Sequence, residues 1–169
     1  MITRFQAHAD GRFEGPDIRT RCILGRSGVI AADAKSEGDG YSPAGTWRLL
    51  WVYYRPDRAA QPETGLPLTA LKESDGWCDD PDHTLYNQLI NRPFDASHEH
   101  LWRDDGVYDL IVVLSHNREP IIPGRGSAIF MHLNRPERTP TEGCVALDRE
   151  DLLHVLKTSV PGTTVEIIS

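Results

Sequence analysis

The sequence has no apolar run approaching the roughly 20 residues that a bilayer-spanning helix needs. Its opening stretch, MITRFQAHADGRFEG, contains no apolar signal core. Two alternatives follow: a cytoplasmic protein, or a mature exported form with a replacement start. Basic residues are outnumbered, 18 Lys and Arg against 25 Asp and Glu, for a net charge of −7. Binders of a phosphate backbone need clustered cations, so nucleic acid is excluded in favour of a small or polymeric substrate of another kind. Cysteine is scarce. Cys22, Cys78 and Cys144 lie 56 and 66 residues apart, which matches no zinc spacing such as C-x-x-C. Three thiols cannot all pair within one chain, so at least one is free. No repeat, low-complexity tract or linker-like stretch divides the 169 residues, an ordinary length for a single domain spanning 1–169.

What the chain does contain is punctuation. Its 12 prolines and 14 glycines cut it into short pieces, as in a sheet protein with many connections. Strands are expected at Arg4–Ala7, Arg21–Leu24, Gly45–Tyr53, Val107–Leu114, Ser127–Leu133 and Thr163–Ile168. YDLIVVL, Tyr108–Leu114, is apolar at nearly every position and reads as a central strand covered on both faces. In SAIFMHL, strand alternation sends Ile129, Met131 and Leu133 to one face and Ala128, Phe130 and His132 to the other. One helix is well signalled. Asp148 is a good N-cap, Glu150 and Asp151 place negative charge in the first turn, and Leu152, Leu153, Val155 and Leu156 form an apolar stripe. A shorter helix is expected near Pro81–Leu89. Residues 54–106 read as long loops, and loops of that length in a compact domain are usually functional or mobile.

The chemistry turns on TPTEGCVALD, which places Cys144 after Gly143 in a run of turn residues. The thiol has three readings: buried hydrophobe, metal ligand or nucleophile. Glycine lets the backbone turn tightly and lets a substrate approach, and N–H groups converging at such a turn can form an oxyanion hole. His132 lies 12 residues upstream on a strand expected to be buried. Beside a thiol, its imidazole can take the proton and leave thiolate–imidazolium, lowering the thiol pKa from ~8.5 to roughly 3.5–7.5. Alternatively, His132 is a core histidine with satisfied hydrogen bonds. A zinc protein would need two ligands beyond this pair, and SHEHLW offers His98, Glu99 and His100.

IFMHL followed by TPTEGCVAL resembles the signature of L,D-transpeptidase catalytic domains, a strand histidine followed by Ser/Thr-x-Gly-Cys and an apolar residue. EGDGYSPAGTW, Glu37–Trp47, is similar to the family's Gly…(Thr/Ser)-Pro-x-Gly-x-aromatic segment, and PGTTVEII to its closing strand. The resemblance covers roughly residues 20–169. One position departs from it. Two residues after the cysteine most members carry Arg or Asn, whereas this chain has Ala146; GWCDDP…YN and GRGSAIF also depart from the usual pattern and look like marks of an Ala-containing subgroup. Arg125 either supplies the missing charge or is a solvated loop arginine.

The resemblance implies a mainly β fold, a curved β-sandwich with one or two short helices and long loops. It implies an enzyme that remodels peptidoglycan without metal or organic cofactor. Cys144 would attack an L-to-D amide of a donor stem peptide, with His132 handling the proton and backbone N–H groups near Gly143 and Cys144 holding the oxyanion. An amine of a second stem would resolve the thioester. With Ala146 in the cleft, the cleaved bond would shift from the usual one, after the third stem residue, towards the L-Ala–D-Glu bond, giving one-to-three in place of three-to-three links. Substrate-binding candidates are Arg125, Ser127, Thr141, Tyr86, Asn87 and Trp77, with Asp79 beside them. Thr141 is equally a turn former, and the aromatic and amide residues are equally parts of a packed loop. Cys22 and Cys78 read as structural. The expected partners are donor and acceptor stem peptides, the expected state a monomer, and the compartment the periplasm or cell envelope. Rival readings are an L,D-carboxypeptidase or endopeptidase that uses water as acceptor, and an inactive module that binds cell-wall peptides.

Overall fold

The computed structural model describes residues 2–169. Strands β1 (Arg4–His8), β2 (Arg12–Gly15), β3 (Ile18–Arg21) and β4 (Gly28–Ala31) precede the long β5 (Tyr41–Tyr54). Next come β6 (Leu68–Ala70), β7 (Asp75–Cys78), β8 (Leu89–Asn91) and β9 (His98–His100). Then follow β10 (Leu110–Leu114), β11 (Phe130–Leu133), β12 (Val145–Leu147), helix α1 (Arg149–Lys157) and β13 (Thr164–Ile168). The architecture is mainly β, as expected. The larger sheet runs β12–β11–β10–β5–β13–β1–β2–β3, with β4 and β6 also pairing β5. Just beyond β3, Ile23 bridges Ala146 of β12, so the curved sheet is nearly closed on itself. A second sheet, β8–β7–β9, is built from residues that read in the sequence as loop.

Alternation along the central strands sorts the interior into two layers. Leu110, Val112 and Leu114 of β10, with Ile129, Met131 and Leu133, join Leu152, Val155 and Leu156 of α1 in one buried cluster. Ile111 and Val113, with Ala128 and Phe130, join Trp77, Tyr108 and Cys144 in the other. Burying a side chain such as Leu152 or Phe130 contributes roughly 1.5–3 kcal/mol each. The face assignment made for 128–133 from sequence alternation therefore holds, and β10 lies centrally between β11 and β5.

Several expectations differ from the structure. The strand expected at Arg21–Leu24 lies earlier, at Ile18–Arg21, and the following residues bond instead to the 141–146 segment through Ile23–Ala146 and Gly25–Thr141 bridges. The helix expected near Pro81–Leu89 is replaced by turns. Asp80 Oδ1 accepts the Asp82 N–H at 2.9 Å, a local bond that competes with helix formation. The strand expected from Ser127 starts only at Phe130, because Gly126 (φ 108°) and Ala128 (φ 54°) leave the extended region. Helix α1 begins where expected, but the Asp148 side chain does not cap it; that carboxylate instead accepts from Asn134 Nδ2 at 2.9 Å and pairs with Arg138.

Candidate active site

The segment Thr141–Cys144 is a tight turn that only glycine accommodates at its third position. Gly143 has φ 138°, and a Cβ there would lie 2.7 Å from the Tyr41 carbonyl oxygen. Ser42 Oγ donates to the Gly143 carbonyl at 2.8 Å and accepts the Gly25 N–H at 2.9 Å, fixing the turn to β5. Thr141 Oγ1 accepts the Gly143 N–H at 3.1 Å and donates to the Cys144 carbonyl at 2.8 Å. Thr141 therefore forms the turn while its surface lines the cleft. Gly143 was expected to supply an oxyanion-binding N–H, but that group is committed to Thr141. The Cys144 N–H has no hydrogen bond among the described residues and is the free donor of the pair.

β11 and β12 are parallel, with Met131 opposite Val145 and His132 opposite Ala146. Extending this register by one residue sets Phe130 beside Cys144. The same parity puts His132, Cys144 and Ala146 on one face of the sheet. His132 and Cys144, each 7% exposed, both line a cavity of about 370 Å³.

His132 Nδ1 lies 3.0 Å from the Leu133 carbonyl oxygen. A carbonyl only accepts, so Nδ1 carries the proton and Nε2 holds the lone pair. Burial pushes the His132 pKa down to about 4; the Leu133 bond opposes this, while Arg103 and Arg135 reinforce it. At neutral pH the imidazole is uncharged, with Nε2 free of protein hydrogen bonds among the described residues.

Cys144 Sγ–H donates to the Ala128 carbonyl at 3.1 Å, and the Phe130 N–H donates to the sulfur at 3.4 Å. Burial pushes the thiol pKa up to about 12, and the charge of Glu99 adds to the rise. The expectation of a depressed thiol pKa is thus reversed. No hydrogen bond joins Sγ to His132, and desolvation disfavours both charges, so the resting pair is a thiol beside a neutral imidazole.

Of the other sequence candidates, Ser127 lines the cavity and its hydroxyl donates to Glu37 Oε1 at 2.6 Å. Trp77, Tyr86 and Asn87 are almost fully buried and do not line it. They are a packed support behind the cleft, the alternative weighed for them above. Tyr86 donates to Glu37 at 2.6 Å, and Trp77 Nε1 donates to Asn87 Oδ1 at 2.9 Å. Arg125 does not line the cavity; its guanidinium donates to the Asp33 carbonyl. The cations in the cavity wall are Lys35, Arg103 and Arg135. Asp79 lines the cavity together with Glu37, Glu99 and Glu142. Of these charges the sequence reading named Asp79, and Glu99 only as a zinc-ligand option; it missed the others, because Arg103 comes from a stretch without periodicity and only the nearness of Arg135 to His132 hinted at its place.

Two further groups complete the wall. Tyr108 donates to Glu99 at 2.8 Å and stands edge-on to His132 with ring centroids 5.4 Å apart. Ala146 is buried, and its backbone exchanges hydrogen bonds of 2.9 and 3.0 Å with Ile23. The imidazoles of His98 and His100 stack 5.5 Å apart, and no group of three or more His, Cys, Asp or Glu side chains is placed to hold a metal among the described residues. Cys22 and Cys78 are buried, and burial raises both thiols, Cys22 to about 11.

Comparison with curated proteins gives no match. Among solved structures, Mycobacterium tuberculosis L,D-transpeptidase 1 aligns with a TM-score of 0.46 at 11% identity, covering 99% of this chain and 62% of that one. An L,D-transpeptidase from Mycobacterium smegmatis aligns with a TM-score of 0.43 at 11% identity, covering 99% of this chain and 58% of that one. The chain thus spans less than two thirds of the length of either. A family model, YkuD, the L,D-transpeptidase catalytic domain, matches residues 7–167. That match takes in the strand histidine, the Gly-Cys turn and the closing strand, and by it this chain belongs to the L,D-transpeptidase catalytic domain family.

Proposed function

We propose that the chain is a cysteine-dependent L,D-transpeptidase acting on peptidoglycan stem peptides, with Cys144 as nucleophile and His132 as general base. The observation that carries this reading is the shared cavity: in a chain of this family, a thiol and an imidazole with a free Nε2 open onto the same 370 Å³ space. The resting thiol is neutral, so proton transfer accompanies attack. Sγ–H leaves the Ala128 carbonyl and passes its proton to His132 Nε2 while sulfur adds to the amide carbon. The Cys144 N–H is the available donor to the developing oxyanion. Collapse breaks the C–N bond, the imidazolium protonates the departing amine, and a thioester remains. An acceptor amine then adds, gives its proton to His132, and displaces the sulfur, which recovers a proton from the imidazolium.

Four carboxylates in the wall, Glu37, Asp79, Glu99 and Glu142, against three cations, Lys35, Arg103 and Arg135, leave a small negative excess that supports an amine acceptor over water, because negative potential concentrates ammonium groups. Ala146, opposite His132, puts no long side chain into the cavity that Arg103 and Arg135 also line. This supports a donor lying differently from one held by a cation two residues after the cysteine, and hence one-to-three links.

Incubating wild type and Cys144→Ala with purified stem-peptide donors and acceptors, read by mass, tests the reading. Cross-linked product and a thioester adduct on Cys144 are expected from wild type only. Hydrolysis products alone would establish the carboxypeptidase alternative, three-to-three links alone would reject the bond assignment, and the absence of turnover and adduct would leave a binding module.

A further inference from the structure

We infer that Asn87 is a positioning residue for the nucleophile, aiming the Cys144 thiol through the backbone of Ala128 without touching the cleft. The inference deepens the proposed cysteine chemistry and rests on that reading for its kinetic readout, though not for its spectroscopic one.

Ala128 has φ 54°, the left-handed region that a residue with a Cβ seldom occupies. Such a conformation persists only where its surroundings impose it. The group imposing it is the Asn87 side chain. Asn87 Oδ1 accepts the Ala128 N–H at 3.0 Å and the Trp77 Nε1–H at 2.9 Å, while Asn87 Nδ2 donates to the Asn117 carbonyl at 2.8 Å. Two donors on one end and an acceptor on the other leave a single orientation of the amide. Asn87 is held in turn. Its N–H donates to the Cys78 carbonyl at 2.9 Å, its carbonyl accepts from Arg118, and it is 2% exposed.

The other face of Ala128 meets the thiol. Its carbonyl accepts Sγ–H at 3.1 Å, and two residues on, the Phe130 N–H donates to the same sulfur. The sulfur thus sits in a cradle made by the 128–130 backbone, whose shape depends on the left-handed turn at Ala128. The β7–β8 hairpin, through Asn87, therefore sets the direction of a thiol in the turn that leads into β12. An extended Ala128 would rotate its carbonyl away and leave the thiol free among rotamers.

The test uses the full chain. Asn87→Ala is expected to fold, to lower kcat for stem-peptide exchange by about 100-fold with little change in KM, as a misplaced reacting atom does, and to shift the S–H stretching band of Cys144 in the Raman spectrum. That band is identified by its loss in Cys144→Ala. Glycine adopts positive φ without a clamp, so adding Ala128→Gly to Asn87→Ala is expected to recover part of kcat and return the band. Should Asn87→Ala fail to fold, Asn87→Gly, which also removes the clamp and suits the φ of 57° at this position, takes its place with the same expectations. An unmoved band, or a kcat loss that Ala128→Gly fails to relieve, would overturn the inference. If wild type shows no exchange at all, the cysteine chemistry fails, yet the band shift still decides the positioning role.

Discussion

A small disulfide reagent tests whether Cys144 rests as a thiol. The perturbation is pH, and the reporter is the rate at which Cys144 forms a mixed disulfide, followed by peptide mass so that Cys22 and Cys78 are counted separately. A free cysteine of pKa ~8.5 is roughly 3% thiolate at pH 7. A thiol pushed up to about 12 is ionised to only about one part in 10⁵ at that pH, a population about 3,000-fold smaller. The more basic thiolate is more nucleophilic, and a Brønsted slope of about 0.4–0.5 over this difference returns roughly 25–60-fold. Cys144 should therefore react about 100-fold more slowly than a peptide cysteine at pH 7, its rate still climbing beyond pH 9. His132→Gln should leave that rate nearly unchanged, because the resting sulfur bonds to Ala128 and Phe130 and not to the imidazole. A rate at pH 7 equal to or above that of the peptide, a plateau below pH 8, or a collapse in His132→Gln would refute the reasoning and restore the thiolate–imidazolium pair.

Burial holds the folded His132 pKa at about 4, below its ordinary value of 6.5. In that window the unfolded chain binds more protons, so stability is present above pH 6.5 and is lost as pH falls towards 4, by roughly 3 kcal/mol in total. Urea unfolding should show a shallower acid limb in His132→Gln over the same range. Gly143→Ala places a side chain at φ 138° against the Tyr41 carbonyl, and calorimetry should register a loss of about 1–3 kcal/mol from backbone strain, with more from the clash. Thr141→Val strips the Gly143 N–H and the Cys144 carbonyl of their partner, at a cost of about 1–3 kcal/mol for unmet buried groups. Thr141→Ser, which keeps the hydroxyl, should retain most of that stability.

The parts of this protein legible in sequence are those where short-range chemistry and long-range packing agree. The alternation in SAIFMHL assigned Phe130 and His132 to one face because both faces of that strand pack against apolar layers. The Asp148–Leu156 pattern located α1, although the Asp148 carboxylate was drawn off by Asn134 and Arg138. The Gly-Cys turn and the strand histidine were readable because each imposes a local demand, a positive φ in one case and a buried imidazole in the other. The pKa of Cys144 was not readable. Spacing suggested proximity to His132, but desolvation and the 3.1 Å bond to Ala128, which decide the resting protonation, are made by residues brought in by the fold. The arginines of the wall were missed for a similar reason. Arg125 lies nearer β11 in sequence than Arg103 does, yet the Asp33 carbonyl holds it away from the cleft. Trp77, Tyr86 and Asn87 were read as substrate-binding candidates, but they are buried and their aromatic and amide character serves packing and hydrogen bonding behind the cleft. A loop composition hid the β8–β7–β9 sheet because its strands are too short to establish a period.

The parallel pairing of β11 with β12 has an evolutionary corollary. What keeps imidazole and sulfur facing one chamber is the odd–even phase of two ladder-bonded strands, not the number of residues between them. The excursion from Arg135 to Pro140, ahead of the Thr141 that pins the Gly-Cys turn, can change length without altering that phase, so cleft shape can vary there while thiol and imidazole go on facing the same space.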